Sequence, residues 1–195
     1  MKKIFNIQLS IEDKSDKHND YIRKVVVNNK MQKKYTYYIT AKEGIWRDEY
    51  SDFEPDLAPK EMLELGIMGG KYFNDVINTN EYPSSWFKNA KLSGIANPSD
   101  SNLNYFKVSS GQSLKEWEKN GWIDEHDKRG WIEWYFRFYL GRRIKDVDIK
   151  QIGRWKSFVA RHKAQVIKNC DKKDNTCRLV QKQALLHWAI DSRKL

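Results

Sequence analysis

The chain has 195 residues, of which 39% are hydrophobic, 13% aromatic and 32% charged; that aromatic content excludes wholesale disorder, and the length suits one domain with a true core. No apolar run approaches the roughly 18 residues needed to cross a bilayer, and the opening MKKIFNIQLSIED has neither a long apolar stretch nor a small-residue cleavage site, so neither an anchor nor an export signal is expected. The net charge of +10 is uneven: residues 126–195 hold 18 Lys and Arg against 7 Asp and Glu, a net of +11, and such a field attracts polyanions, of which nucleic acid is the commonest.

In chain order, Phe5, Ile7, Leu9 and Ile11 alternate with polar residues and predict a half-buried strand. YIRKVVV (Tyr21–Val27) and YTYYITA (Tyr35–Ala41) are β-branched and aromatic runs separated by NNKMQKK, which reads as a hairpin with a longer loop. Residues 1–45 are therefore expected to form a small antiparallel sheet subdomain, and residues 46–195 a helical core domain that joins it in one compact unit. LAPKEMLELGI places Pro59 in a first helical turn and spaces Leu63 and Ile67 by four, before Gly69-Gly70 imposes a turn. Residues 78–111 hold no sustained period and are rich in Pro, Ser, Asn and Gly, which predicts a long ordered loop and, around Trp86, a site wall.

Four helix signals follow. SLKEWEKNG has Ser113 and Glu116 at capping-box spacing and a stop at Gly121. RGWIEWYFRFYLGRR is apolar nearly all round from Arg129 to Leu140, with only Glu133 and Arg137 charged inside, spaced for a helical ion pair; such a helix is a core element. The third helix is expected from an N-cap at Asp148 to about Lys168, with Ile149, Ile152, Trp155, Phe158, Val159, Val166 and Ile167 as its apolar stripe and Arg154, Arg161, Lys163 and Lys168 opposite. The fourth starts near Thr176 and runs through CRLVQKQALLHWAIDSR.

Few motifs carry chemistry. Cys170 and Cys177, with His162 and His187, have the wrong spacing for a structural zinc site, so a thiol pair or one bridge across DKKDNT is expected instead. Two cysteines are too few for a disulfide framework and favour a reducing compartment, in the cytoplasm, nucleus or virion. Gly69-Gly70-Lys71 lacks Walker A spacing, and no Rossmann fingerprint, nucleophile elbow, zinc-protease helix or kinase signature occurs. Glu133, His187 and Asp191 are the candidates for acid–base work, the last two four apart on one helix.

The blocks LAPKEMLELGIMGGKY, GWIDEHDKRGWIEWYFRFYLGRR and CRLVQKQALLHWAID resemble an uncharacterised family of fungal and large-DNA-virus proteins, over roughly residues 55–192. The resemblance implies a shared core and site without naming a reaction. It draws attention to Arg129, Arg137, Arg142, Arg143, Arg154, Arg178, Gln181, His187 and Asp191, polar residues within the resembling blocks.

The reading that follows is an α+β protein whose basic helical half binds nucleic acid, DNA in preference to RNA, through phosphate contacts of Arg129, Arg142, Arg143, Lys145, Arg154, Arg161 and Arg178. No cofactor, metal or membrane partner is expected. One alternative is an enzyme acting on a nucleotide or nucleic-acid base, which a Trp- and Arg-lined pocket with a buried carboxylate would favour. Another is a virion or scaffold interaction protein.

Overall fold

Alternation builds the first described element. The computed structural model describes residues 22–77, 79–171, 174 and 176–195, so the segment Phe5–Ile11 lies outside the described residues. Strand β1 (Arg23–Asn28) pairs antiparallel with β2 (Lys33–Ile39), Val25 opposite Tyr37 and Arg23 opposite Ile39; Val25, Val27, Tyr37 and Ile39 are buried, while Lys24 and Val26 face out. The turn closes on Asn29, whose side-chain oxygen accepts the backbone N–H groups of Met31 and Gln32, both at 2.9 Å.

Five helices follow. Helix α1 (Pro59–Leu65) starts with proline at its first position, and the Glu61 carboxylate accepts the Ala58 N–H at 2.8 Å. The chain between α1 and α2 (Leu114–Lys119) is irregular apart from single 3-10 turns, and Ser113 caps α2 by accepting the Glu116 N–H. Helix α3 (Trp131–Tyr139) is buried from Trp131 to Phe138. Helix α4 (Lys145–Asn169) and helix α5 (Leu179–His187) pack beside each other. The fold is α+β, with the hairpin leading and the helices making up most of the rest. No helix among the described residues is long and apolar enough to cross a membrane.

The core forms around α3, as an all-round apolar helix requires. Phe53 is its hub, with ring centroids 5.0–5.9 Å from Trp155, Trp134, Phe138 and Tyr135. Three polar tips in this core find carbonyl partners: Tyr135 donates to Leu57 O at 2.7 Å, Trp131 to Gln151 O at 3.2 Å and Trp155 to Trp188 O at 2.9 Å. Hairpin and helices share one hydrophobic cluster, from Val25 to Ile190. Their junction is Gly141, at φ 106°, whose carbonyl accepts from Thr40 and Ala41; a Cβ there would stand 2.0 Å from Ala41 O, so only glycine permits this approach.

Three boundaries differ from the sequence expectation. Asp148 does not cap α4: Ile144 holds that position, and the Asp148 carboxylate, one turn inside, accepts both the Ile144 N–H and the Trp134 indole N–H at 2.8 Å. Helix α5 starts at Leu179, after Arg178 takes a left-handed conformation at φ 49°. Ile149 and Ile167 are exposed: they point outward beside buried Asp148 and Val166, and of the expected apolar stripe Ile152, Trp155, Val159 and Val166 are buried.

Candidate functional site

The arginines around α3 turn inward. Arg137, fully buried, donates through Nε to Glu81 at 2.8 Å, through Nη1 to Asp127 at 3.1 Å and through Nη2 to Gln32 at 2.9 Å, with Glu133 3.3 Å away. Arg142 grips both oxygens of Asp127 at 2.8 and 2.7 Å. Arg129 binds both oxygens of Asp75 at 2.9 and 2.8 Å and Glu133 at 2.7 Å. Burial pushes the Glu81 carboxyl above its usual range, opposed by the adjacent Arg137. Arg143 spends its guanidinium on the carbonyls of Phe138, Arg142 and Ile45 at 2.6–2.9 Å and lies 4.1 Å over the Phe138 ring, closing the end of α3.

Arg129, Arg142 and Arg143, expected at a phosphate-binding rim, are therefore committed within the protein. So is Glu133, whose oxygens accept the Arg129 N–H and guanidinium, leaving it a partner of arginines rather than a base facing a cavity. Asp75 and Glu81, which answer Arg129 and Arg137, come from 54 and 56 residues upstream, beyond the reach of any local charge count.

A different place gathers the remaining chemistry. A cavity of about 810 Å³ opens beside α4 and α5. Its wall takes in Trp117, Trp122, Trp131, Trp188 and Phe158, together with Arg129, Lys150, Arg154 and Arg161, and among the described residues no Asp or Glu lines it. Helical spacing explains the grouping: Lys150, Arg154, Ser157, Phe158 and Arg161 recur every three or four residues and share one stripe of α4, while Val180, Ala184 and His187 do the same on α5. Four rings follow in series: Trp131 stacks on Trp188 at 4.7 Å, Trp188 on Phe158 at 4.4 Å, and His162 lies tilted against Phe158 at 4.1 Å.

The cations of this cleft differ in how free they are. Arg154 holds the wall, lying 5.4 Å over Trp117 and donating to Trp122 O at 2.9 Å and Gln151 Oε1 at 3.2 Å. Lys150 is 3.8 Å from Asp124, a loose surface pair. Arg161 is exposed and makes no ion pair with a described residue. Lys145 and Arg178 lie on the exterior and do not line the cleft; Arg178 donates to Gln181 at 2.6 Å. Comparison with protein-family models, with curated proteins and with solved structures finds no match. The chemistry of the cleft is thus read from its own geometry.

His187 forms part of this wall and is buried. Its Nε2 receives the Met68 backbone N–H at 3.1 Å and lies 3.0 Å from the Gln183 amide nitrogen, and burial pulls its pKa down to about 3. A histidine held neutral in this way is not a proton carrier near pH 7. Asp191 is not its partner: that carboxylate pairs with Arg193 at 2.6 and 2.9 Å and with Lys194 at 3.1 Å, and the Arg193 hydrogen bond chiefly draws it down to about 2. His162, at the end of the ring stack, is lowered by burial and by neighbouring Arg161.

The two cysteine sulfurs bond to each other, joining the end of α4 to the approach to α5 across Cα positions 5.7 Å apart. Nearby, Gln181 donates to Gln165 across the two helices. The glycines before Lys71 make a tight turn, both at positive φ, and Lys71 donates to the carbonyls of Ile95 and Asn97. Trp86 packs against Tyr82 and Phe136 in the core, so only the far end of the long loop, Ser110–Gln112, reaches the cleft. Sequence reasoning missed Trp117, Trp122, Lys150 and Trp188 as site residues. The signal available for two of them was the four-residue spacing of Lys150 with Arg154 and of Ala184 with Trp188.

Proposed function

We propose that the protein binds single-stranded nucleic acid, seating an unstacked base against the rings of the cleft and the adjoining phosphates on Arg161 and Lys150. One observation carries this reading: a single cavity combines four tryptophans and a phenylalanine with cations and no wall carboxylate. Base stacking on such rings contributes roughly 1–3 kcal/mol per base and needs an unpaired base. No carboxylate among the described residues lines the wall; Asp124, which is not part of it, lies 3.8 Å from Lys150, so Arg161 is the phosphate contact with no paired acid. An intracellular setting belongs to the same reading, as the place where nucleic acid is met, and does not rest on the cysteines, because a disulfide persists best under oxidising conditions.

The test is fluorescence anisotropy of labelled single- and double-stranded DNA and RNA across a salt series, on nuclease-treated protein, with tryptophan emission followed in parallel. Binding that prefers single strands, quenches tryptophan and weakens steeply with salt is expected. Salt-independent binding, or duplex binding with unchanged emission, would overturn the reading.

A second reading, an enzyme acting on a nucleotide or base, is favoured by the concavity alone, since about 810 Å³ is the size of a small-molecule site. Against it, the wall supplies no carboxylate and His187 is held neutral. Incubation with nucleotides and oligonucleotides, with products followed by mass spectrometry, checks it; turnover lost on filling the cleft would establish it over simple binding.

A further inference from the structure

Backbone groups, whose roles as donor or acceptor are fixed, determine the orientation of one polar chain in the cleft. The Phe106 N–H donates to the side-chain oxygen of Gln183 at 3.0 Å, and the Gly66 carbonyl accepts from the Gln183 amide nitrogen at 3.2 Å. A backbone N–H can only donate and a carbonyl can only accept, so both ends of that amide are assigned. The Gln183 nitrogen must therefore donate to His187 Nε2, and the Met68 N–H donates to the same atom. With two donors aimed at Nε2, the ring proton belongs on Nδ1. Nδ1 makes no hydrogen bond with a described residue, and the ring is part of the cavity wall. The indole N–H groups of Trp117, Trp122 and Trp188 likewise have no acceptor among the described residues.

We infer that His187 is a specificity-determining contact: its Nδ1–H is a fixed hydrogen-bond donor in the cleft that selects ligands carrying a ring carbonyl over those carrying an amine at the same place. The inference rests on the proposed binding of an unstacked base and deepens it by naming the class of base, oxo rather than amino. A donor that meets an amine leaves two hydrogens facing each other and both groups unpaired, the most costly outcome for a buried polar contact. The uncommitted indole donors and the Arg161 charge favour the same acceptor-rich chemistry.

Hypoxanthine and adenine make the cleanest probes, since they share ring size and stacking surface and differ in an oxo against an amino group. Short single strands of deoxyinosine and deoxyadenosine would be titrated against the full chain. Wild-type protein is expected to bind the inosine strand about tenfold more tightly. His187→Gln keeps an acceptor where Nε2 stood and removes the Nδ1 donor; it should bind both strands equally, near the weaker wild-type value. Equal wild-type affinity for the two strands, or a preference for adenine, would overturn the role of His187 while leaving nucleic-acid binding in place. Binding of neither strand would overturn the underlying function and this inference with it. Long-range nitrogen–proton NMR on the wild-type ring gives a check that does not depend on how the variant folds: a proton on Nδ1 at neutral pH is expected, and a proton on Nε2 would overturn the assignment.

Discussion

Two groups of basic residues, next to each other in the sequence, have opposite fates. Arg129, Arg137 and Arg142 are buried and face Asp75, Glu81, Asp127 and Glu133; Lys150, Arg154 and Arg161 border a cavity with no carboxylate in its wall. The difference teaches that charge counted along a chain is not charge presented to a partner. Part of the +11 excess of the last 70 residues is a matter of where the chain is divided, because Asp75 and Glu81, two of the acids that neutralise the first group, lie upstream of residue 126. Buried arginines surrounded by carboxylates specify how hairpin, loop and α3 meet; in the second group Arg154 holds the wall and Lys150 is loosely paired with Asp124, so Arg161 is the cation left available.

Breaking the first group should have the largest effect. Arg137→Met leaves Glu81, Asp127 and Glu133 without their shared cation in a buried place, and removing one partner of such a cluster costs about 3–5 kcal/mol. Denaturant unfolding measures it, and adding Glu81→Gln, which removes one orphaned charge, should restore part of the loss. A loss below about 1 kcal/mol would show that the cluster does not hold the fold.

The next effect sharpens the boundary between the two groups through His187, which lies between core and cleft. Its folded pKa of about 3 is below its unfolded value of about 6.5, so below that pH the unfolded chain takes up a proton that the folded ring refuses. The sign is therefore a stability complete above pH 6.5 and lost as pH falls, by about 2 kcal/mol between pH 8 and pH 5. Denaturation midpoints at those two pH values should differ by that much more in the wild type than in His187→Gln. An equal pH dependence in both proteins would mean that the ring is not held neutral.

How much of this was legible in the sequence depended on the range of the interactions. The hairpin followed from the β-branched and aromatic runs Tyr21–Val27 and Tyr35–Ala41, and the buried α3 from its unbroken apolar character; the Glu133–Arg137 spacing foretold a helical pair, observed at 3.3 Å. Asp148 looked like a cap because its type and position suit one, but a carboxylate one turn inside satisfies the same N–H and also the Trp134 indole, a partner 14 residues away that local rules do not include. Arg129 and Arg142, which flank α3, turned inward for the same reason, since Asp75 and Asp127 reach them from loops. Of the cleft, Arg154 and Arg161 were visible as a basic face of α4, whereas Trp117 and Trp122 join it through the packing of α2 and its following turn against Trp188.

The smaller effects separate the two groups by binding rather than stability. Arg161→Ala should lower single-strand affinity about tenfold and reduce the slope of log affinity against log salt by about one unit, the loss of one phosphate contact. Arg143→Ala is the counter-test with the smallest expected change. Its guanidinium is engaged by three carbonyls and the Phe138 ring, so its removal should cost about 1 kcal/mol of stability and leave the salt slope unaltered. Both variants remove one positive charge, so any general attraction of the basic half falls equally in each. Only a localised contact makes their slopes differ. If the two slopes fall together, attraction is spread over the whole basic half and the cleft has no privileged place in it; if only Arg161→Ala moves, the carboxylate-free wall is where the charge of this protein acts.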